Sequence, residues 1–401
     1  MKRRAVISWG LYDFANNIFT MNVVTRYFAK WVVDVHGAED ILYSYAVAAS
    51  MLLAAATAPL LGTISDETGR RVRYIIVFTL ASCAATLFIG RTGGLWTGLV
   101  LFAAANYCYQ ISWVFYNALL PQVSGERNIG RVSGFGRGLG YTGAIVGLLV
   151  VGPFVARGGV GAAFAPSAAL FLLFSLPIFI FVRDRRPAAA GIRIGEAVIN
   201  ALRKVAATVA HVKEYSSLAT FFAAAFLALC SIHGIIPFMA LYLGRVGGFS
   251  EPAIDTFLIV STVFALAGAF ASGFISDRIG PKKTLSMVLI LWCLALFLGT
   301  VATSRPLFWV VGPLVGIAMG GTWTAARALV VKLSPPDMVG EAFGFFCITG
   351  YISFMVGPLV WGAVVWAFGG AGIVKYRMAV GALLLFMLAS LTMLKRVPDE
   401  R

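Results

Sequence analysis

Apolar stretches of about twenty residues recur along the whole chain, separated by short polar turns. At about 1.5 Å of rise per residue, such a stretch crosses a hydrocarbon core of roughly 30 Å, and inside lipid a helix satisfies its own backbone hydrogen bonds. The pattern predicts helices at 6–33, 42–65, 73–90, 95–119, 133–156, 163–182, 217–243, 254–276, 283–302, 306–331, 341–366 and 372–394. An even number of crossings puts both termini on one side of a membrane. The first stretch differs from the others, because Asp13, Asn16 and Asn17 interrupt it.

Composition agrees with that reading. The 401 residues are 60% hydrophobic and 12% charged, against about 45–50% and about 25% in soluble domains. A net charge of +15 raises the question of nucleic acid, but the basic residues follow topology rather than forming one soluble face. Arg70, Arg71, Arg73, Arg127, Arg131, Lys282, Lys283 and Arg396 fall in loops on the side of the termini, whereas the opposite loops hold few cations. The positive-inside rule therefore makes both termini cytoplasmic, in a multi-pass protein of the cytoplasmic (inner) membrane. Met1 to Arg4 resembles the start of a signal peptide, but no small-residue cleavage site comes after it, which predicts a retained first helix. The five cysteines all fall within predicted helices, so no disulfide framework is expected.

The chain repeats itself. Gly62, Ile64, Ser65, Asp66 and Gly69 recur as Gly273, Ile275, Ser276, Asp277 and Gly280, 211 positions on. Gly134, Phe135, Gly140, Tyr141, Gly147 and Gly152 recur as Gly344, Phe345, Gly350, Tyr351, Gly357 and Gly362, 210 positions on. Near-equal offsets in separate helices mean a duplicated unit. The expectation is an all-α integral membrane fold of twelve transmembrane helices in two pseudo-symmetric six-helix bundles, 1–186 and 216–401. Six is even, so the halves share one orientation, the arrangement of two bundles that rock about a central site. The basic segment 187–215 is expected as a cytoplasmic linker, either an amphipathic helix on an anionic leaflet or a plain solvated stretch.

The repeated loops suggest a gate. Each has glycines that allow close approach, an aspartate able to face the positive end of a helix in the other half, and basic neighbours. Asp66, Arg70, Asp277, Lys282, Arg131 and Arg137 are the candidate gate residues, and headgroup anchoring is the alternative. This pair of loops resembles the signature loop of the major facilitator superfamily. Within it, Trp9 to Asn16 (WGLYDFAN) is similar to the first-helix signature of the vacuole effluxer-like branch. Val114 to Pro121, Gly130 to Gly134, Gly320 to Thr322 with Arg327, and Gly340 to Phe345 resemble the same branch, from about residue 3 to 396. The resemblance implies a secondary transporter, with an amino-acid-like solute.

Asp13, Asn16, Asn17 and Thr20 share one face of the first helix, and a carboxylate inside lipid needs water, a partner or a proton. Asp13 is either a proton or solute site or a hydrogen bond that pins helix packing. Asn106, Gln110, Trp113 and Asn117 follow one helical stripe, as pore lining or as interhelical glue. Trp323 and Arg327 share a face in the tenth helix, and Arg137 and Arg327 either hold an anionic group or pair near a cytoplasmic helix end. Cys230 and His233, three residues apart, form at most two ligands of a soft-metal site; a buried thiol beside a hydrogen-bonded imidazole is the plainer reading, and His233 could instead relay protons.

No phosphate-binding Gly-x-x-x-x-Gly-Lys-Ser/Thr motif, Gly-x-Ser-x-Gly or His-Glu-x-x-His occurs. The expectation is a carrier rather than an enzyme, driven by a gradient, working without a cofactor as a monomer, with a small-molecule solute, protons and the lipid bilayer as partners and no nucleic acid. A divalent-metal exporter and a lipid or lysolipid flippase are the alternatives.

Overall fold

The computed structural model describes residues 3–38, 40–125, 127–184, 199–200, 203 and 215–398. The linker expected at 187–215 lies almost wholly outside them. Among the described residues there is no strand. The long helices are α1 (Arg3–Phe19), α2 (Asp40–Thr68), α3 (Arg71–Ile89), α4 (Leu95–Ala118), α5 (Ile129–Gly158), α6 (Phe164–Phe181), α7 (Ser216–Ile235), α8 (Glu251–Ile279), α9 (Pro281–Val301), α10 (Arg305–Leu333), α11 (Val339–Ala367) and α12 (Val374–Lys395).

Eleven helices among the described residues are long and apolar enough to cross a membrane, and the chain is a multi-pass membrane protein. The twelfth crossing is α1 together with the irregular helical turns on its C-terminal side. After Phe19 the helix continues as π-helical turns over Thr20–Tyr27, a short α turn at Phe28–Lys30 and further π turns at Trp31–Val35. This is the segment whose polar residues broke the apolar pattern. Side chains there bond back to carbonyls four residues earlier, Thr20 to Asn16 and Asn22 to Ile18, and such bonds compete with the backbone ladder. The seventh crossing is also broken, because Pro237 lacks an N–H and the α7 helix gives way to a tighter turn at Ile236–Phe238.

The chain forms two compact units. Unit one comprises Met1–Arg127, Phe135–Ala207 and Pro335–Gly344; unit two comprises Asn128–Gly134, Thr208–Ser334 and Phe345–Arg401. The first turn of α5 therefore belongs with α8 to α10, and the first turn of α11 with α2. In unit one α1 packs on α6, α3 on both α4 and α6, and α2 on α4; unit two repeats these pairings with α7 on α12, α9 on α10 and α12, and α8 on α10. The duplication detected as matched residues thus reappears as matched helix contacts.

The core of unit one is aromatic. Phe28 stacks on Phe102 at 3.9 Å between centroids, and Phe19 and Tyr12 both lie against Phe171. A stripe of glycines on α5 lets α1 approach closely. Gly136, Gly140, Gly143 and Gly147 face Trp9, Asp13 with Asn17, Phe14 and Asn22 in turn. A methyl group on Gly143 would collide with the Phe14 carbonyl, a backbone atom that cannot turn aside.

Candidate functional site: a buried ion pair and two helix caps

The first group lies wholly in unit one, where α1, α4 and α5 meet. Asp13 is fully buried. Its Oδ1 accepts a hydrogen bond from Asn17 Nδ2 at 2.9 Å and lies 3.6 Å from Arg137 Nη1, and its Oδ2 accepts from the Tyr116 hydroxyl at 3.3 Å. The Arg137 guanidinium sits over two rings, 5.1 Å from the Tyr141 centroid and 5.9 Å from that of Trp113. Trp9 donates its indole N–H to the Tyr116 carbonyl and stacks on that ring at 4.4 Å. The Thr20 and Tyr109 hydroxyls are hydrogen-bonded at 2.7 Å. The result is an ion pair taken out of water, held by hydroxyl and amide donors and walled by aromatic rings. At the centre of a bilayer an ionised residue costs about 2.5–3.5 kcal/mol on insertion scales, and partners such as these offset the cost of burying charge.

The apolar pattern, which starts α5 at residue 133, sets Arg137 near a helix end and so at the gate. The helix begins instead at Ile129, with Gly130, Arg131 and Ser133 disguising its first turn, so Arg137 lies two turns inside and reaches Asp13. Tyr141, absent from the sequence-based candidates, is visible there as a matched repeat position. On the α4 stripe, Trp113 and Gln110 are half-buried, Asn117 is buried, and Asn106 donates to Ser50 Oγ at 2.7 Å.

The second group is a pair of helix caps. Asp66 Oδ1 accepts the Gly340 N–H and Oδ2 the Glu341 N–H, each at 3.0 Å, so the carboxylate closes the N-terminus of α11 within unit one. Asp277 does the same for α5 within unit two, accepting the Gly130 and Arg131 N–H groups at 2.7 and 3.0 Å. Four orphan N–H groups and a partial positive charge at each helix start explain why an acceptor-only anion sits there. Backbone must approach backbone for this to happen: a Cβ on Gly62 would meet the Gly340 carbonyl, and one on Gly130 the Gly273 carbonyl.

The counter-ions differ from expectation at one cap. Arg71, not Arg70, pairs with Asp66 and also donates to the Ala118 carbonyl at 2.9 Å. Three arginines at 70, 71 and 73 are equivalent in a sequence; the helix that starts at Arg71 decides which one turns inward. At the other cap Arg131 Nε lies 3.4 Å from Asp277. Lys282 is half-buried at the start of α9. A third carboxylate, Asp184, accepts the Val72 N–H at 2.6 Å at the start of α3, beside Arg73. Burial pushes its carboxyl up from the usual range, and the Val72 and Arg73 backbone donors oppose that shift.

In unit two, Arg327 is buried and donates to the Ser133 carbonyl at 2.8 Å, while Ser133 donates to the Thr324 carbonyl. Trp323 lines a small apolar cavity with Phe221, Leu289 and Phe346. His233 Nδ1 lies 3.0 Å from Ser353 Oγ, its ring edge against Phe354. Cys230 is buried, and among the described residues no group of three or more His, Cys, Asp or Glu side chains converges as a metal site.

Comparison with known proteins agrees with this architecture. An uncharacterized MFS-type transporter of Bacillus subtilis, YxiO, is 26% identical over 98% of this chain and 94% of its own length. The multidrug resistance protein MdtG of Salmonella paratyphi C is 24% identical over 92% of this chain and 90% of its own. The crystal structure of the human organic anion transporter MFSD10 superposes with a TM-score of 0.76 at 15% identity, covering 97% of this chain and 99% of that one, and shows the shared fold. The family model described as "Vacuole effluxer Atg22 like" matches residues 32–401, beyond the Asp13 signature itself. The chain is a secondary transporter of the major facilitator type and belongs to the vacuole effluxer Atg22-like family.

Proposed function

We propose that the protein carries a small polar, amino-acid-like solute across the cytoplasmic membrane by alternating access, coupled to protons, with both termini in the cytoplasm. The observation that carries this reading is the buried Asp13–Arg137 pair, two charged groups held inside a helix bundle. A structural tie between helices needs no charge, and an apolar contact would serve it at lower cost. A pair at 3.6 Å, longer than a hydrogen bond, is suited to being exchanged, because protonation of Asp13 or arrival of a solute group releases Arg137. The Asp66 and Asp277 caps serve as the gate, each able to let go of a helix start. The relatives named for multidrug resistance and organic anions concern other solutes, and the amino-acid reading rests on the family.

The test is flux in proteoliposomes, with a panel of amino acids, with and without a proton gradient. The expected outcome is gradient-driven accumulation that Asp13→Asn lowers by about tenfold or more, while solute exchange persists in vesicles without a gradient. Unchanged driven uptake in that variant overturns the role of Asp13, and absence of any flux overturns the solute class.

A further inference from the structure

We infer that Asn16 contacts the transported solute directly and reads a neutral group that offers a hydrogen-bond donor and acceptor side by side, a primary carboxamide or the cyclic amide edge of a planar heterocycle. This rests on the transporter reading and goes beyond its amino-acid-like class, because the recognised group is an uncharged amide.

Register places Asn16. Along α1 and α4, Asp13 meets Tyr116 and Thr20 meets Tyr109, so the helices run antiparallel and pair seven residues against seven. Asn16 lies between Asp13 and Thr20 on that face, which sets it level with Trp113. It is fully buried, yet neither its Nδ2 nor its Oδ1 has a hydrogen-bond partner. The neighbouring amides engage their donors, Asn17 to Asp13, Asn22 to the Ile18 carbonyl and Asn106 to Ser50, although Asn22 and Asn106 leave Oδ1 unpaired; Asn16 leaves both its donor and its acceptor unpaired. An unpaired buried donor and acceptor are costly, so a residue that keeps both awaits an occupant that supplies both complements.

The surroundings say what that occupant is. Trp113 is half-buried, its ring perpendicular to those of Tyr109 and Tyr116 at 6.3 and 5.4 Å between centroids and its face approached by the Arg137 guanidinium at 5.9 Å, so no aromatic ring stacks in parallel on it and a flat solute would lie on the face away from Arg137. While Asp13 and Arg137 are paired they neutralise one another, which leaves no net charge nearby to attract an ion in this arrangement. A flat, neutral solute can therefore lie on Trp113 while its amide edge meets the Asn16 side chain in the two-point manner by which asparagine reads a base edge.

The experiment uses the purified full chain in detergent. Thermal unfolding is measured for wild type, Asn16→Leu and Asn16→Gln, alone and with nicotinamide, uracil or hypoxanthine, and with nicotinate and benzoate as charged controls. The expected result is that Asn16→Leu unfolds at the same temperature as ligand-free wild type or higher, since an apolar side chain relieves the unpaired amide. Neutral amides protect wild type more than the carboxylates do, Asn16→Leu loses that protection and Asn16→Gln keeps part of it. A ligand-free loss of several degrees in Asn16→Leu shows the amide to be paired structurally, by water or otherwise, and overturns the inference. Equal protection by amides and carboxylates, no protection by any amide, or an unchanged shift in Asn16→Leu overturns it as well. Failure of the transporter reading shows elsewhere, as wild type that moves no solute in vesicles.

Discussion

The Asp66 and Asp277 caps are the same backbone device in different surroundings. Each aspartate spends two oxygens on two successive N–H groups at a helix start, beside a glycine-to-glycine contact, at positions 211 apart. Around Asp66 the counter-ion Arg71 is 11% exposed and tied also to Ala118; around Asp277 the counter-ion Arg131 is 46% exposed and comes from the capped helix itself. Duplication copied the hydrogen bonds and left the electrostatics to diverge. Both carboxylates are buried, at 2% and 6% exposure, so the cap with the buried counter-ion is the costlier to release and the cap with the exposed counter-ion responds more to water and salt.

The largest expected effect is at the Asp66 cap. Asp66→Ala leaves Arg71 without its partner carboxylate and two N–H groups without an acceptor, and lowers stability by about 3–5 kcal/mol, read from thermal or denaturant unfolding. Asp277→Ala loses charge-assisted bonds to backbone and costs about 1.5–3 kcal/mol. Between about 0.15 and 1 M salt, where the screening length falls from roughly 8 to roughly 3 Å, the Asp277 cap weakens measurably and the Asp66 cap does not. Equal losses for the two alanine variants, or equal salt response, would abolish the distinction. The smallest effect sharpens it: Arg71→Lys cannot hold Asp66 and the Ala118 carbonyl together and loses about 1 kcal/mol, whereas Arg131→Lys at the Asp277 cap changes stability by less than about 0.5 kcal/mol.

Much of the fold is legible in the sequence because lipid allows so few solutions. Helix existence comes from hydropathy, and the duplication from two offsets that nearly agree. The aspartates at the caps are legible too, since a repeated acidic residue beside glycines has few uses at a helix turn. Phase and depth are not. Nothing in a run of Arg70, Arg71 and Arg73 says which faces inward, because that depends on where α3 starts. The depth of Arg137 is hidden because polar and glycine residues open α5, so the apolar pattern begins a turn after the helix does. The π turns beyond Phe19 are foreshadowed only as an interruption, since the register of a backbone hydrogen bond leaves no mark on composition.

The close seam between α1 and α5 bears on how the protein is made. Asp13 and Asn17 rest against Gly140, and the groups that neutralise and bond Asp13, Tyr116 and Arg137, lie more than 100 positions later in the chain. A nascent α1 leaves the ribosome with its carboxylate uncompensated, and bare lipid is a poor host for it until four more helices have been synthesised. Assembly of unit one thus waits on α5, and a lesion in that glycine stripe would be felt first as a yield problem during biogenesis, before any solute is moved.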